Sequence, residues 1–190
     1  KIKSIRWQSV DGWRVKTGIA NLVTDVDIPE LTFYTDLSVF NQQNSTFVIE
    51  DFEAWSPKNT PLSGPITNAG IRWTSPINLY AIWARANSSF DVPDPILSTV
   101  LTASGDEIFI MDFSFPVTTV GMDTYINIYG PATITITFSD GSVETTTHNH
   151  NPTQIGFWGI RSTQPITSIK WQTVKGGVVN TGIDNIRVNN

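Results

Sequence analysis

Cysteine is absent from this sequence of 190 residues. A chain without cysteine has no disulfide framework, no thiolate metal site and no cysteine nucleophile. Charge is also sparse: Asp, Glu, Lys and Arg make up 15% of the residues, against about a quarter in an average domain. The polar surface must therefore consist largely of Ser, Thr, Asn and Gln. This composition is common in extracellular β-proteins and predicts a secreted or cell-surface location.

Basic residues are too few to support two classes of partner. The 12 Lys and Arg are outnumbered by 17 Asp and Glu, for a formal net charge of -5. No basic cluster is present that could displace counterions from a nucleic acid or bind an anionic membrane surface. The sequence also lacks a run of 18 apolar residues, the minimum for a membrane-spanning helix. We therefore predict neither a nucleic-acid partner nor membrane insertion.

A long internal repeat is present. Residues 2–24 read IKSIRWQSVDGWRVKTGIANLVT, and residues 166–188 read ITSIKWQTVKGGVVNTGIDNIRV. Aligned without a gap, the two copies are identical at 12 of 23 positions, which include Trp7 with Trp171. Two unrelated segments would not match this closely by chance, so the copies are predicted to occupy equivalent places in a fold.

The repeat suggests how the chain is divided. Because the second copy closes the chain, we interpret it as the last hairpin of a domain. Residues 1–24 are then the terminal hairpin of a preceding tandem repeat, residues 25–30 a linker, and residues 31–190 a complete module. The alternative is one domain in which two similar edge hairpins occupy pseudo-symmetric places.

Alternation at period two dominates the chain, and no segment has a sustained helical period. The clearest example is residues 132–138, in which isoleucine and phenylalanine face one side and threonine the other. Residues 139–142 contain an Asp-Gly turn signal and lead into residues 143–147, which predicts a hairpin. About ten such strands, separated by Gly, Pro, Asn and Ser clusters, predict an all-β antiparallel sandwich of the jelly-roll type.

Two segments, residues 56–65 and 85–95, are too long for tight turns. Long loops on a rigid sandwich are where binding sites tend to lie. Aromatic rings stack on the flat faces of sugars, and arginine forms paired hydrogen bonds to hydroxyl or acidic groups. The candidate ligand-binding residues near these loops are Trp55, Arg72, Trp73, Tyr80, Trp83 and Arg85. The alternative is that these tryptophans pack in the core, as we expect for Trp7 and Trp171.

Two acidic motifs frame the predicted module: residues 50–53 after an early strand, and residues 182–186 in the last strand. Terminal strands of a jelly roll often run side by side. Carboxylates from both motifs would then meet near loop carbonyls, and these are the hard oxygen ligands that calcium requires. The alternative is that these acids are solvated strand ends.

Residues 46–190 resemble known families in their pattern of motifs. "DFE" at 51–53 and "GIDNIRV" at 182–188 resemble the ends of calcium-containing carbohydrate-binding jelly rolls and of MAM-type adhesion domains. "DFSFPVTTVGMD", "ATITITFSDGS" and "GFWGI" resemble sandwich domains of bacterial PEP-CTERM-type surface proteins. The resemblance implies this fold and a structural calcium ion with Asp51, Glu53 and Asp184 as its carboxylates. Ala20 stands in the first copy where the second has Asp184.

Signals for catalysis are weak. His148 and His150 have no third soft ligand nearby, so a surface loop is expected there rather than a metal site. No G-x-S-x-G nucleophile motif is present. The carboxylate pairs Asp112 with Asp123 and Asp106 with Glu107 are only nominal candidates for glycoside hydrolysis.

The leading hypothesis is a non-catalytic, lectin-like module that binds a polysaccharide or cell-surface glycan and is stabilised by calcium. It would be one unit of a tandem array on a bacterial protein, beside neighbouring repeat domains, because linked weak sites gain avidity. One alternative is a structural repeat of an adhesin or surface-layer protein with no glycan site. Another is a jelly-roll polysaccharide-degrading enzyme.

Overall fold

The computed structural model describes residues 29–57, 60–62, 64–83, 99–103, 107–126, 131–152, 154–173 and 181–189. The first repeat copy, most of the predicted linker and Arg85 lie outside these residues, and the predicted domain division therefore stays a prediction. For Trp83 only the backbone is described.

The described residues form eleven strands and one short helix. In chain order these are β1 (Leu31–Tyr34), α1 (Leu37–Gln43), β2 (Thr46–Glu50), β3 (Ile66–Asn68), β4 (Ile71–Thr74), β5 (Leu79–Trp83), β6 (Thr99–Ala103), β7 (Phe109–Tyr125), β8 (Ala132–Phe138), β9 (Val143–His148), β10 (Gly156–Thr173) and β11 (Gly182–Asn189). All the strand pairings are antiparallel.

The two long strands β7 and β10 pair with each other and connect two groups of strands. The first strand group runs in the order β3-β4-β7-β10-β8-β9 and uses the first half of β7. The second strand group runs β5-β6-β11-β7-β10-β1, uses the second half of β7, and has β2 beside β11. Apolar side chains of both groups form one core. The predicted all-β antiparallel sandwich is confirmed, with eleven described strands where about ten were expected.

The hairpin of β8 and β9 forms as its alternation predicts. Ile134, Ile136 and Phe138 are buried, and the threonines between them are half-buried on the other face. At the turn, Gly141 has a φ of 83°. Asp140 Oδ1 accepts a hydrogen bond of 2.8 Å from the Ser142 amide and so fixes the bend locally.

The closing repeat copy, residues 166–188, is not a hairpin, and that interpretation was wrong. Strands β10 and β11 do not pair with each other, because β7 lies between them and pairs with both. Five of the positions that are identical in the two copies are fully buried in the closing copy: Ile166, Ile169, Trp171, Thr181 and Ile183. The repeat thus retains core positions of two strands that lie on opposite sides of β7.

Trp171 occupies the centre of this core. Its ring stacks on Phe109 at a centroid distance of 5.9 Å and an interplanar angle of 6°. Its Nε1 donates a 3.0 Å hydrogen bond to Thr181 Oγ1. Trp171 is therefore structural, as the repeat predicted.

Helix α1 was not predicted. Asp36 caps its N-terminus, because the Asp36 carboxylate accepts a 2.9 Å hydrogen bond from the Val39 amide. Phe40 is fully buried and lies over Gly121, where an added Cβ would come within 2.8 Å of the Phe40 ring. The missing side chain at Gly121 is what lets this helix pack directly on the sheet.

Candidate functional site

A cleft lies at the β3 edge of the first strand group, beside the loop that follows β2. Its volume is about 260 Å³. The residues that line it are Ala54, Trp55, Ser56, Leu62, Ile66, Thr67 and Asn68. We call this the Trp55 cleft. It combines an indole and three aliphatic side chains with two hydroxyls and an amide.

Glu50, the last residue of β2, organises this cleft from behind. It is 4% exposed, and both of its carboxylate oxygens accept hydrogen bonds. Oε2 accepts one of 3.1 Å from Trp55 Nε1 and one of 2.6 Å from Asn68 Nδ2. A single buried carboxylate therefore fixes the orientations of the indole and the amide that line the cleft.

Two turns that contain residues with positive φ bring Glu50 and its partners together. Phe52 has a φ of 56°, and its amide donates a 2.7 Å hydrogen bond back to Glu50 Oε1. Asn68 directly precedes the two-residue turn of the β3–β4 hairpin, in which Ala69 and Gly70 have φ values of 48° and 74°. Positive φ at both turn positions is the type I′ pattern of tight hairpins.

Aromatic packing holds Trp55 from below. Its ring centroid is 5.2 Å from that of Phe52 and 6.0 Å from that of Trp73, both in edge-to-face geometry. Trp55 is 6% exposed and Trp73 is fully buried. Trp55 thus presents a small part of its ring to the cleft, and Trp73 supports it from the core.

A second cleft, of about 170 Å³, shares Leu62 with the Trp55 cleft. The other residues that line it are Gly64, Pro65, Thr74, Ser75, Ile77, Asn78 and Leu79. Tyr80, which follows Leu79 in β5, is half-buried. The segment around Leu62 therefore separates two adjoining depressions.

Arg72 lies on the outer face of β4, away from the core. Its side chain is 54% exposed, and its guanidinium is 3.3 Å from the carboxylate of Asp112. In the β3–β4 register Arg72 is opposite Thr67, which lines the Trp55 cleft. The predicted ligand residues therefore divide: Trp55 lines a cleft, Trp73 lies beneath it, Tyr80 lines neither cleft and Arg72 is on the outer face. The Trp83 side chain and Arg85 fall outside the described residues.

The three predicted calcium carboxylates lie on neighbouring segments. β2 ends at Glu50 opposite Ile186, and β6 meets β11 where Leu101 lies opposite Ile183. Between these two contacts β11 shifts its register against β7, and Asn185 has a φ of 50°. The topology thus brings the loop after β2 and the start of β6 to the irregular part of β11.

The donor chemistry suits calcium, but an assembled ligand set is not formed. Asp51 accepts a hydrogen bond from the Glu53 amide, and Glu53 accepts bonds of 2.6 and 3.0 Å from Thr99. Asp184, 1% exposed, accepts bonds from the backbone and side chain of Asn185. Among the described residues, no three His, Cys, Asp or Glu side chains are grouped so that they could hold a metal ion.

The described carboxylates that were nominal candidates for glycoside hydrolysis bond to other residues. Asp112 accepts a 2.8 Å hydrogen bond from Ser168 Oγ in addition to its ion pair with Arg72. Asp123 forms a 2.9 Å ion pair with Arg187. Asp106 lies outside the described residues. Glu107 is buried, and burial raises its pKa to about 8, against the opposing effect of hydrogen bonds from Thr181.

His148 does not lie on a surface loop, so that expectation was wrong. It is the last residue of β9, is 4% exposed, and its Nε2 is 3.0 Å from Thr124 Oγ1. Its ring lies 5.5 Å from that of His150. Burial, assisted by the charge of His150, lowers the pKa of His148 to about 4.

Sequence reasoning missed Glu50 and Asn68, the pair that builds the Trp55 cleft. Glu50 belongs to the acidic motif that suggested calcium, but the sequence does not show which of its acids is buried. The one available signal for Asn68 was its place before Ala69-Gly70, which is typical of a tight turn.

The helix in the described part of the chain, α1, has seven residues and cannot span a bilayer.

No protein-family model matches the chain. No curated protein matches it either. Among solved structures, it is similar to a family 29 carbohydrate-binding module from Piromyces equi, with a TM-score of 0.43 and 9% identity, over 76% of this chain and 89% of that chain. At this TM-score the likeness carries no argument about function.

Proposed function

We propose that this protein is a non-catalytic, secreted or cell-surface module that binds a carbohydrate in the Trp55 cleft. The observation that carries the proposal is the carboxylate of Glu50, which holds the Trp55 indole and the Asn68 amide in place on one cleft wall. Groups that are fixed before the ligand arrives lose little conformational freedom on binding, so even a small contact area gives useful affinity.

The lining of the cleft matches the two kinds of surface on a sugar ring. The Trp55 ring, Leu62 and Ile66 offer apolar contact for the C–H groups of a pyranose face. Ser56, Thr67 and Asn68 supply hydroxyl and amide groups for its hydroxyls. Because Asn68 Nδ2 is committed to Glu50, its Oδ1 is available to accept a hydrogen bond from a ligand.

The size of the cleft limits what it can hold. Its volume of about 260 Å³ lies just below the roughly 300 Å³ at which pockets for drug-sized ligands begin. A cleft of this volume can hold one sugar ring. The second cleft, on the other side of Leu62, has room for part of a second ring. Such a site binds weakly, which suits a module in a tandem array, where avidity raises the total affinity.

The experiment is a screen of polysaccharides and oligosaccharides with the wild type and with Asn68→Ala. We expect the wild type to bind at least one glycan and Asn68→Ala to bind it about tenfold less tightly, the loss of roughly one hydrogen bond of 1.4 kcal/mol. The matched control is Asn41→Ala, which removes an exposed amide from α1, outside both clefts, and should bind as tightly as the wild type. Absence of glycan binding by the wild type would favour the structural repeat of an adhesin or surface-layer protein.

We also propose that calcium stabilises the module through Asp51, Glu53 and Asp184. Calcium at a hundredfold excess over its Kd would add about 2.7 kcal/mol to the free energy of unfolding. For a chain of this size, that raises Tm by about 5–10 °C. The measurement is Tm with calcium and with a chelator. Asp184→Asn should abolish the difference, and Glu144→Gln on the exposed strand β9 should retain it. An unchanged wild-type Tm would reject the calcium proposal.

A further inference from the structure

We infer that the Trp55 cleft selects neutral sugars and discriminates against acidic ones such as uronic acids. This inference rests on the proposed carbohydrate-binding function and adds the class of ligand. It follows from the charges that surround the cleft on the described side chains.

The buried carboxylate of Glu50 lies behind the cleft and bonds Trp55 and Asn68, which line it. Both of its oxygens act as acceptors, which is the hydrogen-bonding role of an ionised carboxylate. It is 4% exposed, so water screens its field less than that of a surface acid. A second carboxylate, brought into the cleft by an acidic sugar, would be repelled by this charge.

Other charges near the cleft add to the effect. Asp51, in the loop between Glu50 and the cleft residues Ala54 and Trp55, is an exposed acid and adds negative charge when no calcium is bound. None of the described residues that line either cleft is Lys or Arg. The nearby cation Arg72 lies opposite Thr67 in the β3–β4 register, and its charge is balanced by its ion pair with Asp112. A ligand carboxylate in the cleft therefore finds no described cation that lacks an acidic partner.

Neutral ligands do not pay this electrostatic cost. The hydroxyls of Ser56 and Thr67 both donate to and accept from sugar hydroxyls, and Asn68 Oδ1 accepts from them, all without a net charge. A neutral hexose thus uses the whole wall of the cleft, whereas a uronic acid carries a repelled carboxylate in place of the hydroxymethyl group.

The test is calorimetric titration of the wild-type chain, with a chelator present to remove calcium, with cellotetraose and mannotetraose as neutral probes and tetragalacturonic acid as the acidic probe. At low salt we expect a neutral probe to bind at least about tenfold more tightly than the acidic probe. High salt should narrow this ratio, because it screens the repulsion. Equal or tighter binding of the acidic probe would overturn the inference and leave the proposed function intact. Binding of none of the probes, together with no binding in the glycan screen, would reject both.

A gain-of-binding variant tests the cause directly. Thr67 is exposed on the edge strand β3, so Thr67→Lys places a cation on the cleft wall without disturbing the core. We expect it to tighten binding of tetragalacturonic acid about tenfold. Thr145→Lys, on the opposite edge strand β9, adds the same charge far from the cleft and should not. An equal gain in both variants would show that net charge, and not the cleft, sets the selectivity.

A Lys58 variant provides a further test of the selectivity. It follows Pro57 in the sequence and lies outside the described residues. Lys58→Gln should leave the order of affinities unchanged, with the neutral probe still ahead of the acidic one. A reversal of that order would contradict the inference, because a cation from this loop would then be the selecting group.

Discussion

Replacing Glu50 by Gln is expected to weaken glycan binding by at least about tenfold and to lower the free energy of unfolding by about 2–4 kcal/mol. The carboxylate accepts hydrogen bonds from three N–H donors and donates none. A glutamine would direct its own NH₂ group at one set of these donors. Because Glu50 is buried, water cannot supply the missing acceptor, and Trp55 and Asn68 would lose their common anchor.

The measurements are urea denaturation and glycan titration of the same variant. Glu144→Gln is the matched control, since Glu144 is exposed on β9 and its change should leave both quantities within about 0.5 kcal/mol. Trp55→Phe, which removes the indole N–H, should cost less in the Glu50→Gln background than in the wild type. Full glycan affinity in folded Glu50→Gln protein would disprove the role given to Glu50.

Stability should depend on pH through two buried groups with opposite signs. The pKa of His148 is lowered from 6.5 to about 4 in the fold, chiefly by burial. Below pH 6.5 the unfolded chain therefore takes up the proton first, so stability falls as the pH drops from 6.5 to 4, by roughly 3 kcal/mol in total.

The pKa of Glu107 is raised from 4.5 to about 8, also chiefly by burial. Its contribution is complete below pH 4.5 and is lost as the pH rises towards 8, by roughly 5 kcal/mol.

The two contributions nearly cancel between pH 4.5 and 6.5, where each changes by about 1.4 kcal/mol per pH unit. In the wild type these groups should therefore produce a plateau there and a fall of roughly 2 kcal/mol from pH 6.5 to 8. His148→Gln should replace the plateau with a steady decline from pH 4.5 to 8. Glu107→Gln should give a rise up to pH 6.5 and then a level line. The check is urea denaturation across this range; parallel curves for all three proteins would contradict the account.

Both groups report on one region of the core. The His148 ring contacts Trp171 edge-to-face, at a centroid distance of 6.1 Å. On its other side, Trp171 bonds through Nε1 to Thr181, whose amide donates to Glu107. The surroundings of Trp171 therefore change when either group titrates. Its fluorescence provides an optical signal for the same experiment.

The parts of the fold that were predictable are those in which local sequence decides the structure. The β8–β9 hairpin formed as expected, because its alternation and its Asp140-Gly141 turn both act over a few residues. Pro116 does not interrupt β7, which runs through it for 17 residues. A strand can retain a proline where the register of its neighbour is already irregular, and β10 shifts register between Arg161 and Ile166, next to this point.

The features that were not predicted from the sequence have a different cause. The pairing of β10 and β11 with β7 instead of with each other depends on contacts far apart in sequence. Helix α1 is too short to produce a periodic signal, and it is held by the Asp36 cap and the burial of Phe40. The role of Glu50 depends on Asn68, a partner 18 residues away that no local pattern identifies. Sequence pattern located the region of the candidate site but not the residue at its centre.

The most direct test of the account is an NMR titration of isotope-labelled protein with a neutral oligosaccharide that binds. We predict that the largest shifts are those of the Trp55 indole N–H and the Asn68 side-chain amide, with smaller changes at Thr67 and Leu62. Shifts confined to the outer threonine face of β8 and β9, with Trp55 and Asn68 unchanged, would contradict the assignment of the Trp55 cleft as the binding site.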